Sequence, residues 1–183
     1  MLLATGRFGG SEAGLRALLA GLPREGAAGE AVRRHVAPVA RVAEAQAFID
    51  VATPRAMIDV SDGLSSELWH LAEESRVGVT VWESKVPVAP AAVAVARSLG
   101  LDPFEMALGS GEEFELLVAI PASEVERTVE HVCAVTGTEV ARIGEVVPAA
   151  RGCTLVRADG REVPLARLGY EHLVAAGRTG GKR

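Results

Sequence analysis

The most informative stretch of this sequence is Met57-Ile58-Asp59-Val60-Ser61-Asp62-Gly63-Leu64. It contains a short apolar run, two aspartates three positions apart, and a glycine that precedes a segment with helical periodicity. This order predicts a strand, a tight turn and a helix that begins near Gly63. A strand that passes directly into a helix is typical of a sheet covered by helices.

The polar side chains of this stretch suit a hard cation. Asp59 is expected near the end of the strand, and Ser61 and Asp62 at the turn before the helix. Mg²⁺ prefers oxygen ligands and is commonly bound together with phosphate, and the free N–H groups of a helix start favour the same anion. The alternative is that Asp62 only caps the helix and that Asp59 is an incidental polar residue. The spacing leaves both interpretations open.

A second acidic stretch runs from Leu108 to Leu116, with the sequence Leu-Gly-Ser-Gly-Glu-Glu-Phe-Glu-Leu. Its small residues predict a loop that leads into a strand over 113–120. Because side chains alternate along a strand, Glu112 and Glu113 should point to opposite sides, and Glu115 should share the face of Glu113. The same alternation places three apolar residues together, namely Phe114, Leu116 and Val118. A solvated acidic strand start is the alternative to a binding site.

The loop from Thr5 to Ser11 separates a predicted strand from a predicted helix, with Ser11 as the expected cap. Phosphate binds at such junctions. The loop matches neither the Walker A pattern nor the dinucleotide-binding glycine pattern. A plain connection between strand and helix is therefore an equal alternative.

Helical and strand patterns interleave along the whole chain, which predicts an α+β fold with a layered sheet. Helices are expected at about 11–22, 30–35, 40–49, 63–74, 91–99 and 123–135, with a short helix or turn at 103–108 and a linker at 23–29. Strands are expected at about 1–5, 56–60, 78–82, 113–120, 140–147, 153–157 and 162–165, with a hairpin turn at 158–160. Residues 1–175 are expected to form one domain, and residues 176–183 a disordered tail.

Composition narrows the class of protein. The 183 residues are 49% hydrophobic, and only 4% are aromatic. Few aromatics and a net charge of −5 argue against nucleic acid as a partner. A phosphate ligand bridged by a cation remains compatible with that charge. No apolar run is long enough to cross a membrane and no signal peptide is apparent, so no membrane partner and a cytoplasmic location are expected.

Cysteine and histidine offer no recognisable metal or redox motif. Cys133 and Cys153 have a spacing that matches neither, so buried thiols are expected, and a disulfide stays open. The four histidines are scattered and are expected to be surface or packing residues rather than metal ligands.

Four segments in this order resemble the thiamine-monophosphate kinases, which belong to the aminoimidazole ribonucleotide synthetase superfamily. They are Thr5-Gly6-x-x-Gly9-x-Ser11-x-Ala13-Gly14-Leu15, the 57–64 stretch, Ala107 to Leu117, and Gly169-Tyr170-Glu171-His172. The second and third are the specific ones. The family more usually has Gly-Gly-Glu-Asp-Tyr-Glu-Leu in the third, so Ser110, Glu113 and Phe114 depart mildly from it.

The resemblance implies a role for each matching position. Asp59 and Asp62 match Mg²⁺ ligands, and Ser61 matches a contact to ATP. Glu112 matches a contact to thiamine monophosphate, and Tyr170 matches an aromatic that stacks on or packs against that substrate. The implied reaction is ATP- and Mg²⁺-dependent phosphorylation of thiamine monophosphate to thiamine diphosphate.

The resemblance also implies that this chain corresponds to a C-terminal half. In the family an N-terminal half supplies further Mg²⁺-binding aspartates, much of the ATP site and the dimer-forming barrel, so that half, or a homodimer partner, is the expected partner. The isolated chain is then expected to be inactive alone. Two alternatives stay open. One is another enzyme of the superfamily, of the formylglycinamidine cyclo-ligase or selenophosphate synthetase type. The other is a binding or interaction domain without a catalytic half.

Overall fold

A mixed seven-stranded sheet forms the centre of the fold in the computed structural model, which describes residues 1–169. The strands lie in the order β2-β4-β1-β5-β3-β6-β7. Neighbouring strands are antiparallel except for the parallel pair β3–β6. Their bounds are β1 (Leu2–Thr5), β2 (Ala56–Asp59), β3 (Gly78–Trp82), β4 (Leu116–Ala119), β5 (Val140–Val147), β6 (Cys153–Val156) and β7 (Glu162–Pro164). The predicted α+β class is confirmed.

Seven α-helices accompany the sheet within the described residues. They are α1 (Gly10–Leu19), α2 (Gly26–Val36), α3 (Val42–Val51), α4 (Leu64–Ser75), α5 (Pro90–Leu99), α6 (Pro103–Gly109) and α7 (Val125–Thr136). The prediction of a linker over 23–29 was wrong in part, because α2 already begins at Gly26. Alanine and glycine at 26–29 carry no strong periodicity, and that is why the first turn of this helix was missed.

The alternation of side chains in β1 and β4 separates two cores. Leu2 and Ala4 belong to the core that includes α4 and α6. Leu3 and Val118 point to the opposite face of the sheet and pack in the core that contains Phe48 of α3. Because successive side chains leave a strand on opposite faces, four-residue strands suffice to cover both layers. Full burial of each such aliphatic side chain contributes about 1.5–3 kcal/mol.

A third apolar cluster joins α1, α2 and α5 through small side chains such as Ala13, Ala31 and Ala92. The helices α1 and α2 pack with their backbones close together at Gly14. A Cβ atom at this position would lie 2.3 Å from the carbonyl oxygen of Ala31. This close packing fixes α2 against α1, and both helices carry residues of the site described below.

Three further predictions concern the C-terminal hairpin, the two cysteines and membrane-spanning helices. β6 and β7 form the expected antiparallel hairpin. Both cysteines are free, with Cys153 buried and Cys133 partly buried; burial raises the pKa of the Cys153 thiol. Within residues 1–169, no helix combines the length and the apolar character that a membrane crossing requires.

Candidate functional site

Backbone hydrogen bonds join the two acidic stretches side by side. The amide of Val60 donates to the carbonyl of Glu115 at 2.7 Å, and the amide of Phe114 donates to the carbonyl of Val60 at 2.9 Å. The amide of Glu112 donates to the carbonyl of Ser61 at 2.7 Å. These bonds extend the β2–β4 pairing beyond its last regular pair, Asp59 with Leu116. The structure therefore brings together two motifs that are about fifty residues apart in the sequence.

The turn at Ser61 and Asp62 is held by a buried carboxylate on α4. Glu67 is 2% exposed, and its Oε1 accepts from the amide of Asp62 at 3.1 Å and from the hydroxyl of Ser61 at 3.5 Å. The other oxygen of Glu67 lies 3.0 Å from Nδ1 of His70. A glutamate that reaches back over its own helix start resembles a capping box. Asp62 is not the cap of α4, because that position belongs to Gly63, which offers no side-chain bond.

A pocket of about 970 Å³ opens beside this turn. Ser61, Asp62 and Glu112 all line it, so three of the residues singled out in the sequence share one cavity. Its apolar wall is formed by five side chains, those of Leu15, Leu101, Met106, Phe114 and Leu168. The volume falls within the range of about 300–1,000 Å³ that is usual for small-molecule sites.

Carboxylates dominate the polar part of the pocket, but three of them already have partners in the protein. Glu12 pairs with Arg16 at 2.7 Å. Asp102 caps α6 by accepting from the amide of Phe104 at 2.7 Å. The carboxylate of Glu105 lies 3.7 Å from Arg157.

The Glu112 side chain, by contrast, makes no hydrogen bond or ion pair with residues 1–169. It is exposed, although its backbone is anchored to Ser61. Glu112 therefore offers a carboxylate to a ligand in the pocket without first breaking a protein contact.

Asp59 lies at the end of β2, which is an edge strand, and its side chain is exposed. It is not among the residues that line the pocket. Mg²⁺ is usually held by one or two carboxylates together with substrate phosphates and water. Asp59 and Asp62 match that number of carboxylates. The described residues contain no group of three or more potential metal ligands, so this donor set fits Mg²⁺ only with oxygen ligands from a substrate or from elsewhere.

Glu113 and Glu115 point away from the pocket into a buried ionic cluster. They are 4% and 0% exposed. Glu115 forms a two-point pair with Arg41, with Nε and Nη2 each 2.8 Å from a carboxylate oxygen. It also accepts from the hydroxyl of Thr5 at 2.7 Å. Glu113 and Glu115 lie on the same face, as expected, and this face packs against arginine side chains.

Arg34 of α2 links the two buried glutamates. Its Nη2 lies 3.3 Å from Glu113 and 3.1 Å from Glu115. Burial raises the pKa of the Glu113 carboxyl; hydrogen bonds from Ser110 and from the amide of Ser11 and the charge of Arg34 oppose that rise, and the neighbouring charge of Glu115 adds to it. The bond to Glu115 raises the pKa of Arg41. The cluster is therefore a compensated set of charges, as buried ions require.

The loop from Thr5 to Ser11 serves this cluster. The amide of Ser11 in the first turn of α1 donates to Glu113 at 3.0 Å, and the amide of Glu12 donates to the Ser110 hydroxyl at 3.1 Å. The N-terminus of α1, which the sequence offered as a phosphate site, thus binds the carboxylate of Glu113 instead. Ser11 is not the cap, which is Gly9.

One sequence interpretation needs correction at this site. The strand predicted over 113–120 is confined to β4, because Glu112 and Phe114 have left-handed backbones with φ of 56° and 52°. As a result Phe114 lines the pocket and does not share a face with Val118. His35, expected as a surface or packing residue, is half-buried, lines the pocket and lies 3.0 Å from the Ser11 hydroxyl.

Sequence reasoning did not find Arg34, Arg41 or Glu67 as parts of the site. Glu67 had a usable signal, since it follows Asp62 by five residues on the first turns of the predicted helix. The two arginines had none, because the buried glutamates that they bind, Glu113 and Glu115, are more than seventy residues away in sequence. Tyr170 lies outside the described residues, although Gly169 before it lines the pocket.

The fold and the paired motifs define a family. The chain belongs to the family described as AIR synthase related protein, C-terminal domain, whose model matches residues 2–155. Curated relatives make the resemblance more specific. A thiamine-monophosphate kinase of Pyrococcus abyssi is 36% identical over 74% of this chain and 39% of its own length. That of Bacillus subtilis is 30% identical over 94% of this chain and 52% of its own length.

The same relationship holds for three-dimensional structure. AaThiL complexed with AMPPCP and TMP superposes with a TM-score of 0.77 and 26% identity, covering 94% of this chain and 50% of that one. The chain therefore spans about half the length of the relatives it matches. The resemblance to the C-terminal half of the thiamine-monophosphate kinases, first based on four motifs, is confirmed.

Proposed function

We propose that this chain forms the C-terminal part of a thiamine-monophosphate kinase, which transfers the γ-phosphoryl group of ATP to thiamine monophosphate. The observation that carries the proposal is the meeting of Ser61, Asp62 and Glu112 at one pocket. Its relatives support it, since they are named for this activity and one was solved with AMPPCP and TMP. The products are thiamine diphosphate and ADP.

The proposed step needs positioning more than covalent chemistry from the protein. A phosphate oxygen of thiamine monophosphate forms the new bond to the γ-phosphorus, and the bond from that phosphorus to the bridging oxygen of ATP breaks. In such transfers, catalysis rests on alignment and on charge stabilisation. Ser61 would contact ATP, while Asp59 and Asp62 would hold Mg²⁺. The ion, when bound, would neutralise charge on the transferring group.

The charge of the pocket agrees with this substrate. Thiamine monophosphate combines a positively charged thiazolium ring with a phosphate. Glu112 offers an exposed carboxylate at the rim, and the apolar wall that includes Phe114 and Met106 suits the ring. Tyr170, one residue beyond Gly169 of the pocket lining, is proposed to cover the ring.

The complete enzyme requires a second half. The described residues lack a cluster of three potential metal ligands, and the matched relatives are about twice as long as the aligned region. We therefore propose that an N-terminal half of the same enzyme, or a homodimer partner, supplies further Mg²⁺ ligands and most of the ATP site. A cytoplasmic location is part of the same proposal.

Calorimetric titration with thiamine monophosphate, with and without Mg²⁺ and ATP, tests the substrate site. Binding should weaken in Glu112→Ala and in Tyr170→Ala. The matched control is Glu30→Ala, which removes an exposed glutamate from α2. Equal affinity of the wild type and both site variants would contradict the assigned substrate contacts.

A second titration and a kinase assay should use the chain together with an N-terminal half. Binding or turnover that appears only in this combination would support a site completed between the halves. If the combined protein neither binds thiamine monophosphate nor forms thiamine diphosphate from ATP, the proposed function is wrong.

A further inference from the structure

Residues 111–115 form the wall of the pocket that carries Glu112, and this wall has an unusual backbone. Glu112 and Phe114 adopt positive φ angles of 56° and 52°. Residues with a Cβ atom rarely adopt this conformation, because the side chain approaches the carbonyl oxygen closely. Such a backbone persists only where surrounding contacts hold it in place. The contacts that hold this backbone therefore help to determine the geometry of the site.

The alternation in this wall sorts its side chains into two groups. Glu112 and Phe114 line the pocket, whereas Glu113 and Glu115 are buried behind it. In the first pair, the amide of Glu112 donates to the carbonyl of Ser61 and the amide of Phe114 donates to the carbonyl of Val60. The second pair is tied to helices outside the wall. The orientation of Glu112 therefore depends on where the buried carboxylates are held.

One nitrogen atom contacts both carboxylates and the neighbouring loop, in addition to the bonds that Glu113 accepts from Ser110 and Ser11 and the pair that Glu115 forms with Arg41. Nη2 of Arg34 lies 3.3 Å from Glu113, 3.1 Å from Glu115 and 3.1 Å from the carbonyl oxygen of Arg7. The arginine reaches this point over Gly10, where a Cβ atom would lie 2.6 Å from its Cδ and Nε. Residue 10 therefore leaves room for the arginine to pass.

We infer that Arg34, acting through Glu113, is a positioning residue of the pocket, which holds the 111–115 wall in the conformation that presents Glu112 to the ligand. Arg34 itself is not among the residues that line the pocket. The helix α2 thereby determines the geometry of a binding wall formed by a distant part of the chain. The choice of thiamine monophosphate as the probe rests on the proposed function, but the inference about the wall does not.

Arg34→Ala and Arg33→Ala form a matched pair for the first test. Both remove an arginine from the last turns of α2, but Arg33 is exposed. In Arg34→Ala we expect the affinity for thiamine monophosphate to fall by about tenfold to a hundredfold, a loss like that found when a group that orients a metal ligand is removed. Arg33→Ala should bind like the wild type.

Amide hydrogen exchange provides a measurement that needs no ligand. The amides of Glu112 and Phe114 should exchange faster in Arg34→Ala, while amides in the sheet core, such as that of Leu117, keep their wild-type rates. A purely structural role would instead accelerate exchange throughout the domain. Unchanged exchange at Glu112 and Phe114 in a folded Arg34→Ala protein would overturn the inference, whether or not the proposed substrate binds.

A double-mutant cycle tests whether the effect passes through Glu112. If Arg34 acts only by placing this carboxylate, Arg34→Ala should lower affinity much less in a Glu112→Ala background than in the wild type. Fully additive losses would show that Arg34 acts by another route and would overturn the inference. If no variant or wild-type protein binds thiamine monophosphate, the proposed function fails, and the exchange measurement alone decides the positioning role.

Two milder variants keep the test possible if Arg34→Ala does not fold. Arg34→Lys retains a cation and should restore part of the exchange protection at Glu112. Glu113→Gln keeps an oxygen for the hydroxyl of Ser110 but turns a donor towards Arg34, so protection should fall. Wild-type exchange in Glu113→Gln would contradict the proposed route through Glu113.

Discussion

The carbonyl oxygen of Ser61 accepts a hydrogen bond from the amide of Glu112 at 2.7 Å. This bond connects the turn proposed to contact ATP and Mg²⁺ with the residue proposed to contact thiamine monophosphate. The two segments also approach too closely for a side chain at Gly111, since a Cβ atom there would lie 2.8 Å from the same carbonyl oxygen. The segment around Ser61 and the segment around Glu112 are therefore one continuous structural unit. Displacement of either segment should affect the binding of both ligands.

Asp62→Asn should abolish Mg²⁺-dependent activity in a complete enzyme, with a loss of about a hundredfold or more, because a neutral amide is a poor ligand for this hard cation. The fold should stay intact, since Gly63 rather than Asp62 is the cap of α4 and the amide of residue 62 can still donate to Glu67. Kinase assays over a range of Mg²⁺ concentrations, combined with thermal unfolding, measure both effects. Asp50→Asn, exposed on α3, is the control. Near-normal turnover in Asp62→Asn would show that this residue is not a metal ligand.

Glu67→Ala should destabilise the protein by about 1–3 kcal/mol, because it leaves the amide of Asp62 without its acceptor in a partly buried turn. Glu67→Gln retains an acceptor oxygen and should lose less. Urea unfolding measures the difference, and Glu74→Ala, exposed on the same helix, controls for the loss of a helical glutamate. Equal losses in the alanine and glutamine variants would show that the hydrogen bond to Asp62 does not stabilise the turn.

The elements most accurately predicted from the sequence are those with continuous local patterns. β3 and β5 have the predicted bounds, because apolar residues alternate or run uninterrupted between clear breakers. The strand predicted over 113–120 failed at its start for a physical reason. The side chains of Glu113 and Glu115 do share one face, as in a strand, but the backbone is left-handed at Glu112 and Phe114. Propensity gives no warning of this, since the amides of Glu112 and Phe114 donate to the carbonyls of Ser61 and Val60, about fifty residues away in sequence.

The parts of the candidate site that could be predicted are those whose polar residues lie in a recognisable local pattern of turn or loop. A turn between strand and helix and a loop rich in small residues are local signals, and they pointed to the two stretches that contain Ser61, Asp62 and Glu112. The choice of Glu112 over Glu113 came from the family resemblance. The pairing of Arg34 with the buried glutamates depends on the packing of α2 against α1, where Gly14 approaches Ala31. Such packing is a tertiary property, which explains why sequence analysis placed the two glutamates on one face and missed what they bind.

Arg41→Ala should destabilise the protein by about 3 kcal/mol, because it leaves the fully buried carboxylate of Glu115 without its two-point partner. Chemical unfolding of the two proteins measures the loss. Arg7→Ala is the contrasting variant, since it removes the exposed pair with Glu139 and should change stability little. If both variants lose the same stability, the burial of the Arg41 pair has no energetic consequence.

Glu113 should give the protein a pH-dependent stability with a defined sign. Burial raises the pKa of this carboxyl above its ordinary value of 4.5, so the folded state binds more protons than the unfolded state in the interval between the two pKa values. The contribution of Glu113 to stability is therefore fully present below pH 4.5 and decreases as the pH rises through the folded-state pKa.

The measurement is the free energy of unfolding of the wild type minus that of Glu113→Gln, from about pH 4 to pH 8, where only the wild type can titrate at this position. This difference should decrease with rising pH and then become constant. Glu126→Gln, exposed on α7, controls for the removal of one negative charge. A difference that increases with pH would mean that Arg34, Ser110 and the amide of Ser11 outweigh burial and lower the pKa of Glu113. The buried cluster would then favour the ionised carboxylate, and the pKa of Glu113 would lie below its ordinary value instead of above it.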